Sequence, residues 1–210
     1  MRIIVFGATG RVGACIVEQA VAAGHDVTAF VRDRQRLKVG GDKVSIVEGN
    51  VVDPASVRSA LNPGFDAVVV AIGQAGLKPS SVMADGVRAI VTGMKDRGID
   101  RLLGVSGIAE MPNKTFFGKL TIALLSVTPV GHAIRDHDRA FAELQNSGSG
   151  LMWMLAGCGY IPDGPRRGRY RTSLIFPGGF KIINPPDVAD LIVRELTEEK
   201  FTGNVVGIWY

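Results

Sequence analysis

Two cysteines and three histidines are few for a chain of 210 residues, and their placement excludes several chemistries at once. Cys15 and Cys158 form no CxxC pair and have no histidine at ligand spacing, which rules out a zinc knuckle and a disulfide framework. The expectation is two buried, reduced thiols. His132 and His137 flank the start of an expected helix and have no third ligand-type residue at metal spacing, so no metal is expected. Long apolar runs are missing too. The longest after the start, "LTIALLSVTPVG" at Leu120–Gly131, contains Pro129 and falls short of the roughly 20 residues of a membrane helix. The first residues lack the apolar core and small-residue cleavage site of a secretory signal, so a cytoplasmic protein without membrane contact is expected.

Neither sign of charge dominates: 24 Lys+Arg stand against 20 Asp+Glu, a net charge of +4. Basic residues gather only at Arg32/Arg34/Arg36/Lys38 and Arg166/Arg167/Arg169/Arg171. The second cluster, "RRGRYR", lacks the surrounding basic and aromatic repetition of a nucleic-acid interface, so no nucleic acid is expected as partner. A mildly basic enzyme that binds phosphates accounts for the charge.

What is present is a regular alternation. Hydrophobic residues make up 46% of the chain, enough for a full core, and the length favours a single domain over 1–210. Apolar runs that fit buried strands occur at Ile3–Phe6, Val27–Val31, Val44–Val47, Ala67–Ile72, Leu102–Val105 and Leu151–Leu155. Helical patterns lie between most of them, at Val12–Ala23, Val82–Arg97 and Ala133–Asn146, and a last helix at Val188–Thr197 is expected to be capped by Asp187. Asp53-Pro54 reads as an N-cap followed by proline at the first helical position. The fold expected is α/β, a doubly wound parallel sheet of order 3-2-1-4-5-6. Two irregular stretches, 110–131 and 156–184, fall on its carboxyl edge, where open α/β sheets bind ligands, and are expected to wall a substrate.

The stretch "FGATGRVG" places three glycines where the first strand gives way to a helix. Glycine lets a ligand approach the main chain, and a helix start offers free N–H groups and a positive dipole end, so Gly7, Thr9, Gly10, Arg11, Val12 and Gly13 are candidates to hold a pyrophosphate. About 20 residues on, as the dinucleotide fingerprint requires, the second strand ends in "VRDRQR". An acid there would bond a ribose 2′-hydroxyl. Arg32 comes first instead, and a guanidinium pairs with a 2′-phosphate, which favours NADP (as NADPH) although Asp33 follows at once. Asn50 and Val51 in "EGNVVD" are placed to touch adenine, and Ala71 and Gly73 end the fourth strand beside the cofactor.

The fifth strand ends in "LLGVSG", which puts Ser106 at the edge as the candidate catalytic residue; His132 and Tyr160 border the expected acceptor pocket. None of Tyr160, Tyr170 and Tyr210 has a lysine four residues later, so a Tyr-x-x-x-Lys proton donor is absent. A simple ketone would need such an acid for its alkoxide, whereas a flavin or linear tetrapyrrole spreads the incoming charge and can take a proton from solvent. Trp153, Met154, Phe116 and Phe117 are expected to serve core or lid packing.

With these residues in view, the chain resembles the atypical short-chain dehydrogenase/reductase family, the NmrA-like NAD(P)H-binding group that includes biliverdin-IXβ and flavin reductases. The resemblance rests on "IIVFGATGRVGACIVEQAVAAGHDVTAFVRD", "EGNVVD", "DAVVVAIG", "SVMADGVRAIVTGMKDRGIDRLLGVSG", "AIRDHDRAFAELQNSGSG" and "INPPDVADLI", nearly the whole chain. It implies that Gly7, Thr9, Gly10 and Gly13 hold the pyrophosphate, Arg32 the 2′-phosphate, and that Ser106 sits beside the nicotinamide. Where the family often carries a proline-rich segment with a histidine near the substrate, this chain has "LAGCGYIPDGP". The expected function is NADPH-dependent hydride transfer to a flavin, bound as a dissociable substrate, or to a similar tetrapyrrole or quinone-like acceptor. The alternative is a non-catalytic NADP(H)-sensing regulator. A monomer or weak homodimer is expected.

Overall fold

The computed structural model describes residues 1–210 except 38–42, 74–75, 77 and 149, so Lys38 of the first basic cluster lies outside the described residues. Five apolar segments form β1 (Arg2–Phe6), β2 (Asp26–Val31), β3 (Val44–Glu48), β4 (Ala67–Val70) and β5 (Arg101–Gly107). After the short strand β6 (Asn113–Lys114) come β7 (Met152–Cys158), β8 (Arg171–Ser173), β9 (Ile175–Phe176) and β10 (Asn204–Trp209). The main sheet runs β3-β2-β1-β4-β5-β7-β10-β8, parallel throughout except for the β10–β8 pair. Its first six strands are the expected order 3-2-1-4-5-6, and β10 and β8 extend it beyond that expectation. β4 stops at Val70, two residues before the end of its apolar run.

Alternation along each strand feeds two helical layers, because successive side chains point to opposite faces. Ile4, Phe6, Val68, Val70 and Leu102 pack under α2 (Pro54–Ala60), α3 (Val82–Arg97) and α5 (Val130–Gln145). Ile3, Val5, Val27, Val69 and Leu103 pack under α1 (Arg11–Ala22) and α6 (Pro185–Glu198). Strands covered on both faces are why the Val/Ile runs are continuous. The expected cap of α2 is present: the Asp53 carboxylate accepts from Ala55 N–H at 3.1 Å, with Pro54 in the first turn.

Several expectations need correction. α6 starts at Pro185, so Asp187 is not its cap but sits inside the first turn. Its buried carboxylate accepts from the amides of Arg167 and Gly168, at 2.9 and 2.8 Å, and from Tyr210 Oη at 2.6 Å. α5 starts at Val130, so His132 and His137 both lie within it. Cys15 is only half-buried, packed against the edge of the α1 layer's core, while Cys158 is buried.

The two irregular stretches are joined to each other. β6 pairs in parallel with β9, and Thr115 caps α4 (Phe116–Ser126) by accepting from Gly118 N–H while its hydroxyl donates to Pro177 O at 2.8 Å. Gly179 N–H donates to Thr121 Oγ1 at 3.1 Å. The segment after β5 and the segment after β7 thus form one structure over the carboxyl edge.

Candidate active site

At the end of β1 the main chain makes the site. Gly7 takes φ +83°, and a Cβ there would overlap the Ala71 carbonyl; a Cβ on Gly13 would overlap the Gly7 carbonyl. Both glycines are therefore demanded by the close approach of β1, α1 and the end of β4. Gly10 differs: its φ of −77° suits any residue, and a Cβ would meet only the Gly7 carbonyl at 3.2 Å and the Ala71 carbonyl at 3.8 Å. Its exposed side faces outward. No side chain caps α1 and no acid stands in its first turn, so the amides of Arg11, Val12 and Gly13 keep their dipole for a ligand. A pyrophosphate fits this cradle. Thr9 is half-exposed beside it, and Arg11 reaches across to donate to Ile161 O at 2.7 Å and to pair with Asp163 at 3.5 Å. That contact ties the turn to the segment after β7.

At the end of β2, Arg32 and Asp33 differ in their contacts. The Asp33 carboxylate accepts from Gln35 N–H at 2.9 Å, capping a short helical turn at Arg34–Arg36. Arg32 is exposed. Asn50 is exposed at the end of β3, with its carboxamide oxygen accepting from Val52 N–H at 3.4 Å, and Val51 packs toward Gly86 of α3. Ala71 N–H donates to Phe6 O at 2.8 Å, which holds the two strand ends together, while a Cβ on Gly73 would meet nothing within 4 Å.

At the end of β5 side chains make the site. Ser106 is buried, and its Oγ lies 3.2 Å from Oε2 of Glu110, also buried at 4% exposure, in the short turn Ile108–Glu110. Gly107 makes room for that carboxyl, since a Cβ would sit 2.8 Å from Oε2. Burial, reinforced by the charge of Asp138, pushes the Glu110 carboxyl up to about 8, against its own amide, the Ser106 hydroxyl and Lys114. Near neutral pH it is a neutral acid. Sequence reasoning found Ser106 and missed Glu110; a lone glutamate four residues on carries no local sign that α5 and β7 will bury it.

The outer rim is apolar. Tyr160, 54% exposed, stacks on Phe180 with ring centroids 5.9 Å apart. Phe116 and Phe117, expected as packing residues, are 76% and 70% exposed and touch edge-on. They belong to a face of α4 that also exposes Leu120 and Leu124. Trp153 packs edge-on against Phe141, and Met154 is buried, as expected of packing residues. His132 faces Arg135, with 2.7 Å between Nδ1 and the guanidinium, and makes no hydrogen bond to Ser106 or Tyr160. In the second basic cluster, Arg166 pairs with Asp190, and Arg167 lies 4.0 Å over the Tyr210 ring. Among the described residues no group of three His, Cys, Asp or Glu is arranged to hold a metal ion, and no single helix is long and apolar enough to cross a membrane.

Known proteins share this fold. The NAD(P)H-binding family matches residues 7–199. The uncharacterized protein YwnB of Bacillus subtilis is 36% identical over 96% of this chain and 97% of its own length. Among solved structures, a Streptococcus pneumoniae protein ascribed NADH-flavin reductase activity superposes with TM-score 0.78 at 24% identity, covering 100% of this chain and 99% of its own. The anaerobillin reductase ChuY of Escherichia coli O157:H7 gives TM-score 0.79 at 21% identity, over 100% and 97% of the two chains.

Proposed function

We infer that the chain, which belongs to the NAD(P)H-binding family, is an NADPH-dependent reductase of flavins or similarly planar, conjugated acceptors. What carries the reading is one arrangement at the carboxyl edge: the uncapped start of α1, tied by Arg11 to the same segment that presents the Tyr160–Phe180 stack. The start of α1 and the aromatic wall after β7 are thereby linked through Arg11, which supports a cofactor and an acceptor bound along one edge. Gly7, Thr9, Gly10, Arg11, Val12 and Gly13 would hold the pyrophosphate, Arg32 the 2′-phosphate, Asn50 and Val51 the adenine, with Ala71 and Gly73 leaving space alongside. NADPH would supply a hydride. Ser106 fixes the reacting ring, and the walls on α4 and after β7 hold the acceptor over it, so that the protein contributes proximity and orientation. Solved structures described as an anaerobillin reductase and an NADH-flavin reductase share the fold, which supports the reading.

The test is oxidation of NADPH and of NADH by the purified protein with FMN, FAD, riboflavin and a linear tetrapyrrole as acceptors. NADPH should be preferred, and Arg32→Ala should erase most of a preference worth about 1.5–3 kcal/mol. Equal dissociation constants for the two cofactors in the unsubstituted protein would refute the assignment of Arg32. The exposed apolar face of α4 favours a second reading, an NADP(H) sensor whose protein partner covers that face. Tight NADPH binding without reduction of any acceptor would select it.

A further inference from the structure

Among the described residues four acids are buried, Glu110, Asp136, Asp187 and Glu195, and three of them have evident structural duties. Asp136 accepts from the amides of Met83 and Ala84 at the start of α3, Asp187 from those of Arg167 and Gly168, and Glu195 from that of Phe201. Glu110 differs. Its Oε2 faces the Ser106 hydroxyl at 3.2 Å, and its Oε1 is buried without a partner. Burying such an acid costs stability unless something compensates, and the chain clears space for it with a glycine at 107. Desolvation and the Asp138 charge favour its neutral form, against the Ser106 hydroxyl and Lys114. From α5, Asp138 adds a like charge, the buried His137 is held toward its neutral form by desolvation, and Asp136 is occupied by α3. From β6, Lys114 spends its ammonium on Met111 O. β7 brings only Cys158, which packs in the opposite layer.

We propose that Glu110 supplies, through the Ser106 hydroxyl, the proton that must accompany each hydride given to the acceptor. The inference rests on the reductase reading and amends one part of its sequence basis, that solvent alone provides the proton. The step balances as follows. Both electrons leave NADPH as hydride and reduce the acceptor, leaving NADP⁺. The Ser106 O–H bond breaks as its proton passes to the acceptor's electron-rich nitrogen or oxygen, and the Glu110 carboxyl proton replaces it on Oγ. Glu110 is left as carboxylate and recovers a proton from water between turnovers. Ser106 would be the group in contact with the acceptor, and Glu110 would act through it.

The experiment compares the unsubstituted protein with Glu110→Gln, which preserves shape and a hydrogen bond but cannot release a proton. In the cofactor-free protein an infrared carbonyl band of a protonated carboxyl is expected at pH 7, vanishing as the pH rises through about 8 and missing from E110Q. Turnover of FMN should fall about tenfold to a hundredfold in E110Q with NADPH affinity unchanged. The fall in rate above pH 8 should flatten in the same variant. The double variant with Ser106→Ala should be no slower than the slower single one, because both break one chain. If E110Q does not fold, Ser106→Ala must itself give the flat profile; a Ser106→Ala rate that still falls through pH 8 overturns the proposal. An ionised Glu110 at pH 7, or an E110Q enzyme with the original rate and profile, overturns it while leaving the reductase reading intact. An unsubstituted protein that reduces no acceptor removes both.

Discussion

At the end of β1 the chain turns through three glycines and offers a ligand only main-chain groups, whereas at the end of β5, on the same edge, it turns into a buried pair of side chains, Ser106 and Glu110. The first site is built by leaving atoms out. Its geometry is local, held by carbonyls within a few residues and by the neighbouring Ala71. The second is built by enclosure, because Glu110 acquires its character only when α5 and β7 close over it. A site made from backbone tolerates few substitutions but needs no tuning; a site made from a desolvated acid is tuned by everything packed around it.

The sharpest way to break this comparison is to add atoms to the first site. Gly13→Val would drive a side chain into the Gly7 carbonyl, and a loss on the order of 4–5 kcal/mol is expected, at the extreme end for one substitution. Gly10→Val should cost only about 1–2 kcal/mol, since φ is unstrained and the nearest carbonyl must yield by a few tenths of an ångström. It should nonetheless abolish NADPH binding by filling the cradle. Thermal melts and cofactor titration on the two variants decide the matter. If Gly10→Val folds and binds NADPH with undiminished affinity, the turn is structural only.

The same contrast explains what could be read in the residues beforehand. β1 to β5 and α3 announce themselves through continuous Val/Ile runs and through caps such as Asp53, because burial on both faces and helix termini impose local composition. β6, β8 and β9 are two or three residues long and carry no pattern; β6 and β9 exist because 113–114 and 175–176 meet across a long stretch of chain, and β8 because it adds antiparallel to β10. β10 has a readable "VVGIW", but its place between β7 and β8 depends on a register that no local run encodes. At the candidate site, the glycine turn and Arg32 can be named as candidates from position alone. The capping role of Asp33, the burial of Glu110 and the exposure of Phe116 and Phe117 are not legible there, since each is decided by a distant partner or by the lack of one.

The second prediction sharpens the β5 side through stability. A carboxyl raised in the folded state from 4.5 to about 8 contributes stability that is fully present below 4.5 and is lost as the pH rises through 8. Within that window the folded protein binds the extra proton, so stability should fall by roughly 1.4 kcal/mol for each pH unit, or about 3 kcal/mol from pH 5.5 to 7.5. Glu110→Gln should remove that slope and melt higher than the unsubstituted protein at pH 7.5, with a smaller difference at pH 5. Urea unfolding at the two pH values measures it. Parallel pH dependences for the two proteins would mean that Glu110 is not held neutral.

The smallest expected effect lies on the outer wall, where neither backbone geometry nor proton supply is at stake. Tyr160 is more than half exposed, and its ring lies nearly parallel to Phe180, at an interplanar angle of 27°. Removing an exposed ring should leave stability within about 0.5 kcal/mol. What it should cost is the stacking contact with a planar acceptor, about 0.5–1.5 kcal/mol, which reads as a twofold to tenfold rise in KM for FMN in Tyr160→Ala. The value of kcat and the NADPH dissociation constant should not move, because the ring touches neither the relay nor the glycine turn. Tyr160→Phe should behave as the unsubstituted protein, since the ring is used and the hydroxyl is not. The pair therefore separates wall from proton donor: a collapse of kcat in Tyr160→Phe at unchanged KM would put the donor on the segment after β7 and take that role away from Ser106 and Glu110.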